Sequence, residues 1–154
     1  MLKIKLIFLI LIFLSKPAYS KDIKSIKHYL KSHNISNSET KFYIYSRCAG
    51  LFFGMQLFFF KRSGNGTKSY KNTSKYLDRM DNLAFDEWFK KNNINKPKYD
   101  KNNKLIKKAN VEMGELLKKY TAIYVQQKNF TFKNKRYYAN GFLLDDIRYC
   151  KSIK

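Results

Sequence analysis

The sequence predicts an all-α fold: a small antiparallel bundle of about four helices, stapled by one disulfide and preceded by a segment that is removed. Three observations predict it. Apolar residues recur at three- and four-residue spacing over four stretches, the mark of amphipathic helices. The connections between those stretches are short, which sets successive helices antiparallel. Two cysteines stand far apart, Cys48 in the first stretch and Cys150 in the last.

The removed segment comes first. Lys3 and Lys5 lead into the apolar run Leu6 to Leu14, and Lys16, Pro17 and Ala18-Tyr19-Ser20 close it. A basic start, an apolar middle and a small-residue end make up a secretory signal peptide, with cleavage expected after Ser20. A membrane anchor is the weaker reading, because nine residues at about 1.5 Å each cover under half of a ~30 Å hydrocarbon core. The next residue is Lys21, not cysteine, so a lipid anchor at the cut is not expected. The working protein is then expected in the periplasm or outside the cell. The division is 1–20 signal peptide, 21–37 polar leader and 38–154 a single helical domain.

In the leader, His28, Tyr29 and Leu30 suit one helical turn in a loosely docked segment. Ser36 stands three residues before Glu39, the spacing of a capping box. The first long helix is therefore expected from there to about Arg62, ended by Ser63-Gly64-Asn65-Gly66. At 100° per residue Ile44, Cys48, Leu51, Phe52, Met55 and Phe59 share one side. Ser46, Gly50, Phe53, Gly54 and Leu57 on the other side are not strongly polar. A helix apolar nearly all round is central in its domain, buried at an interface between copies, or in a membrane, and the Gly50/Gly54 pair allows close backbone approach.

Phe42 to Phe60 is nineteen residues long, enough to span a bilayer, and contains Arg47 and Gln56. Arginine at mid-helix costs about 2.5–3.5 kcal/mol on insertion scales, which does not forbid insertion. The cysteines argue more strongly. An even thiol count in an exported chain reads as a disulfide, and Cys150 lies between Arg148 and Lys151. Pairing it with Cys48 in a bilayer would carry those charges into hydrocarbon, so a bundle-core helix is favoured.

Lys68 to Lys75 is expected as a basic loop, and the second helix from a Thr73 or Ser74 cap, through Tyr76, Leu77, Met80, Leu83, Ala84 and Trp88, to about Asn92. The third places Leu105, Ala109, Met113, Leu116, Tyr120 and Tyr124 inside, and Lys104, Lys107, Glu115 and Lys118 in water. Phe130-Thr131-Phe132 either pairs with Arg136 to Tyr138 as a hairpin or runs as a loop. The last helix, about Tyr138 to Lys151, aligns Ala139, Leu143, Ile147 and Cys150.

The formal charge is +21, and loss of Lys3, Lys5 and Lys16 with the signal peptide leaves +18. Such a field draws anionic partners. Lysine outnumbers arginine 27 to 5, which fits AT-rich codon usage better than a dedicated phosphate reader, where the arginine fork is preferred. Candidate residues for an anionic partner are Lys68, Lys71, Lys75, Lys104, Lys107, Lys118, Lys133, Lys135 and Arg136. Candidates for buried ion pairs are Arg47, Arg79, Glu112, Asp146 and Arg148.

Catalytic signatures are weak. Thr67 stands where a phosphate-binding loop requires glycine before Lys68. No G-x-S-x-G turn occurs, and His28 and His33 lie in the leader without metal-ligand spacing. Sequons at Asn34, Asn65, Asn72 and Asn129 would matter in a eukaryotic secretory pathway, and some arise by chance in a chain this rich in asparagine. The carboxylate pairs Asp78/Asp81, Asp86/Glu87, Glu112/Glu115 and Asp145/Asp146 leave a small exported hydrolase as the least favoured alternative. The leading expectation is a non-enzymatic exported protein that binds an anionic envelope surface or an acidic protein, with no cofactor, metal or small-molecule substrate, and with nucleic acid not favoured. A membrane-active antibacterial or host-directed factor is the other alternative. Pairing of copies through the Gly50/Gly54 face stays open.

Overall fold

The computed structural model describes residues 24–63, 66–126, 130–133, 136–139 and 141–153. The expected signal peptide, Asn65, Asn129 and Lys135 lie outside these residues. The elements are α1 (Ile26–Tyr29), α2 (Ser38–Ser63), α3 (Lys68–Lys91), α4 (Lys104–Gln126), β1 (Phe130–Lys133), β2 (Arg136–Ala139) and α5 (Phe142–Ser152). The fold is helical, with one two-stranded hairpin inserted before the last helix.

Local chemistry sets the helix ends. Asn37, rather than Ser36, caps α2, its Oδ1 accepting from Glu39 N at 2.7 Å. Ser36 N instead donates to Asn34 Oδ1, a turn that occupies the residue expected as cap. Helix α3 begins well before Thr73, because Thr67 caps it by accepting from Tyr70 N at 3.3 Å. Thr73 lies inside the helix and donates to Ser69 O. The lysines of 68–75 are a helical surface and not the expected loop. At the other end of α3, Asn93 takes φ 54°, while Ile94 N donates to Phe89 O and Asn93 N to Lys90 O. This left-handed close returns two terminal carbonyls to backbone partners. Asn103 opens α4 by accepting from Leu105 N.

Helix α2 lies at the centre, with Ile44, Cys48, Leu51 and Phe52 fully buried. Phe42, near its start, packs in a cluster with Trp88, Ile106 and Ala109, and Gly50 and Gly54 meet Tyr120, Thr121 and Val125. Helices α2 and α4 therefore run parallel, with α3 antiparallel to both. On α4 the buried stripe starts at Ile106, which is 1 % exposed, and not at Leu105, which is 36 % exposed. The short α5 crosses α2 from the side of α4, where Phe142 meets Tyr124, to that of α3, where Arg79 donates to Ile153 O. Cys48 and Cys150 form the disulfide, with Cα atoms 5.6 Å apart.

Two further expectations need correction. The last helix starts at Phe142, not Tyr138, because Tyr138 and Ala139 pair with Thr131 and Phe130 in the hairpin. Gly141, at φ 58°, then turns the chain in a conformation that glycine adopts without strain. The leader is not loosely docked: Ile26 is fully buried in the same core as Cys48 and Cys150. Among the described residues no helix is long and apolar enough to cross a membrane, and Phe42, Ile44, Cys48, Leu51, Phe52, Met55 and Phe59 pack into the core clusters.

At Gly50 and Gly54 this face of α2 is covered within the chain by α4. A Cβ on Gly50 would lie 2.4 Å from Tyr120 Cβ and 3.0 Å from Thr121 N, and Thr121 Oγ1 donates to Gly50 O at this crossing. Gly50→Ala is expected to lower stability by about 1–3 kcal/mol through forced separation of the helices. Gly114, with open space where its Cβ would be, is the opposite case: Gly114→Ala should raise stability by about 0.4–1 kcal/mol. Thermal unfolding of the two variants reads both signs, and equal midpoints would contradict the packing account.

Candidate functional site

One arginine interrupts the apolar surface of α2, and its surroundings form the principal polar cluster of the core. Arg47 is 1 % exposed and Asp146, on α5, is 0 % exposed. Arg47 Nη2 donates to Asp146 Oδ2 at 2.6 Å, Nε to the Tyr124 hydroxyl at 2.7 Å and Nη1 to the Tyr43 hydroxyl at 3.2 Å. The Tyr124 hydroxyl passes its own proton donation on to Asp146 Oδ2 at 2.6 Å. The second carboxylate oxygen accepts from Ile26 N at 2.7 Å. Four segments, the leader, α2, α4 and α5, thus meet on one carboxylate.

Burial opposes the charge on Arg47, yet Tyr124 and Asp146 hold the guanidinium above its ordinary range. Burial pushes the Asp146 carboxyl up, against the pull of Arg47, Tyr124 and the Ile26 N–H. Burial likewise pushes the Tyr124 and Tyr120 hydroxyls up. The result is a closed arrangement whose donors and acceptors face one another, with Arg47, Tyr124 and Asp146 each at most 1 % exposed. Its chemical role is to hold helices in place at a cost in desolvation.

A stack of rings leads outward from this cluster. Tyr43 lies under Tyr29 with centroids 4.2 Å apart, and Tyr29 under His33 at 3.7 Å. Beyond them Tyr29, Ser32, His33, Asn34, Asn37, Glu39 and Thr40 line a cleft of about 300 Å³. Its polar groups serve the local turn: His33 Nδ1 lies 2.9 Å from Tyr29 O.

The other ion-pair candidates separate. Glu112 pairs not with an arginine but with Lys91, at 2.6 Å, and accepts from Trp88 Nε1 at 2.6 Å. Arg79 and Arg148 lie on the exposed surface. Burial raises the Glu112 carboxyl, but the bonds from Lys91 and Trp88 outweigh it and hold the group below its ordinary value of 4.5. A carboxylate lowered on folding adds stability above the unfolded value, and this is lost as pH falls through the folded one. Trp88 is the chain's single tryptophan. Acid titration of its fluorescence should therefore show a transition below pH 4.5 that Glu112→Gln abolishes; a variant retaining the transition would assign it elsewhere.

In none of the carboxylate pairs are both members buried. Asp145 is exposed where Asp146 is buried, and Asp78 and Asp81 are exposed on α3. Asp86 pairs with Lys96 and Glu87 with Lys90. Among the described residues no group of three histidine, cysteine or acidic side chains is placed to hold a metal ion. The lysine candidates divide between the two ends of the bundle. Lys68, Lys71 and Lys75 are exposed at the start of α3, and Lys104 and Lys107 at the start of α4, with Lys118 farther along it. Lys133 and Arg136 are paired in the hairpin register; Lys135 is outside the described residues.

Sequence reasoning singled out Arg47 and Asp146 but missed Tyr43, Tyr124, Ile26 and Lys91. Tyr124 sits at an apolar-stripe position, and only its hydroxyl, in place of a phenylalanine ring, signals a buried polar partner. Comparison with protein-family models, with curated proteins and with solved structures finds no match for this chain.

Proposed function

We propose that the protein is exported and acts by binding, as a non-enzymatic basic helical protein whose partner is an anionic envelope surface. The observation that carries this reading is the charge: a formal +21, with lysines exposed along α3 and α4. The deeply buried charges Arg47 and Asp146 are engaged with each other, and among the exposed charges lysines predominate. The basic, apolar and small-residue layout of residues 1–20 supports export.

The test is sedimentation with vesicles of anionic and of neutral phospholipid, at low and high salt, using oxidised protein recovered after export. An intact mass beginning at Lys21 is expected. Binding to anionic vesicles that weakens with salt is the expected result. Absence of binding to either vesicle would reject the envelope-surface reading in favour of an acidic protein partner.

A further inference from the structure

The carboxylates are segregated along the chain. No aspartate or glutamate occurs within residues 40–77 or 116–144, whereas Asp78, Asp81, Asp86, Glu87, Asp100, Glu112 and Glu115 all fall between those stretches. The helix directions convert this pattern into a difference between the two ends of the bundle. The second half of α2, the first half of α3 and the last turns of α4 lie together, and the hairpin leaves from there. The opposite end, built from the later part of α3 and the start of α4, holds Asp86, Glu87, Asp100 and Glu112, three of them engaged with Lys90, Lys91 and Lys96, while Asp78, Asp81 and Glu115 lie between the two ends and Asp145 is exposed on α5.

The carboxylate-free end also exposes apolar side chains. Phe60 is 55 % exposed, Val125 54 % and Leu57 40 %. They are neighbours: Leu57 and Phe60 stand one turn apart on α2, Phe60 contacts the Tyr70 ring of α3, and Val125 packs at Gly54, one turn before Leu57. Lys68, Lys71 and Lys75 are exposed on α3 beside Tyr70. A partner offering phosphate alone would leave these apolar groups in water. A bilayer interface takes both kinds, with apolar side chains at the acyl boundary and lysines among the headgroups.

We propose that this end of the bundle seats on anionic lipid bilayers, Leu57, Phe60 and Val125 entering the interface while Lys68, Lys71 and Lys75 meet lipid phosphates. The inference rests on the envelope-surface reading above and adds to it the docking face and its orientation. The test compares the exported, oxidised protein with Leu57→Ser/Phe60→Ser, with Lys68→Ser/Lys71→Ser/Lys75→Ser, and with Leu105→Ser/Val111→Ser at the opposite end. The vesicles contain phosphatidylglycerol in phosphatidylcholine. The first variant should bind at least tenfold more weakly, and the second about fivefold more weakly for each lysine removed at low salt. The third should bind like the unmodified protein.

A second measurement does not depend on a loss of binding. The fluorescence of Phe60→Trp should shift to the blue on anionic vesicles and be quenched by brominated acyl chains, whereas Val111→Trp should respond to neither. If the unmodified protein binds anionic vesicles while Leu57→Ser/Phe60→Ser binds equally well, or Val111→Trp is the one quenched, the docking face is wrong and the envelope-surface reading survives. If the unmodified protein ignores anionic vesicles and binds polyglutamate, both fail.

Discussion

Asp146→Ala is expected to destabilise the protein by about 3–5 kcal/mol, because removing one partner of a buried ion pair leaves the other charge in the core without its counterion. The loss reaches beyond the pair. Among the described residues Arg47 keeps only the two tyrosine hydroxyls as acceptors, and the Ile26 N–H, at 0 % exposure, loses its acceptor. Urea denaturation followed by circular dichroism measures the effect. Arg47→Met/Asp146→Leu separates the cost of an orphaned charge from the worth of the pair. It should recover most of the lost stability, since a packed apolar replacement is often neutral relative to a buried ion pair. A double variant as weak as Asp146→Ala would show that the pair itself, and not the orphaned charge, sets the stability.

The second large effect belongs to the disulfide. Cys48 and Cys150 close a loop of 102 residues, for which the chain-entropy model gives about 4.7 kcal/mol, and loss of such a link commonly costs about 2–5 kcal/mol. Cys48→Ala/Cys150→Ala should lower the urea midpoint accordingly, and reduction of the unmodified protein should reproduce the shift. A midpoint indifferent to reductant would mean that packing alone holds α5. The ion pair and the cystine join the same two helices, one residue apart on α2 and one turn apart on α5, so their effects should not add. Asp146→Ala in the cysteine-less background is expected to release α5 as a unit.

The helical core was legible because its signal is redundant. Ile44, Cys48, Leu51, Phe52, Met55 and Phe59 repeat at helical spacing, and all six are buried. The pairing of Cys48 with Cys150 followed from number and placement. What failed were decisions among nearly equal local options. Ser36 and Asn37 both suit a cap, and Asn34 decided between them by engaging Ser36 N. Leu105 and Ile106 are adjacent and equally apolar, so the phase of α4 depended on how it meets Phe42. The lysines of 68–75 resembled a loop because charge hides the Thr67 cap. The Arg47 and Asp146 ends of the polar cluster were visible as charges in apolar stripes. Its middle was not, because a tyrosine hydroxyl and a backbone N–H leave no mark on periodicity.

The bonds that close α5 over α2 also set an order of events during synthesis. Asp146 emerges 99 residues after Arg47, and Cys150 102 residues after Cys48. Throughout that interval the nascent chain holds an arginine without its counterion and a thiol without its partner. Packing of α2 on α3 draws on residues near in sequence, whereas the ion pair and the cystine wait for residues about a hundred positions away, and contacts so distant form slowly. The core therefore closes only when both ends of the domain are present, and a thiol oxidant that acts on a chain emerging from its N-terminus meets Cys48 before Cys150.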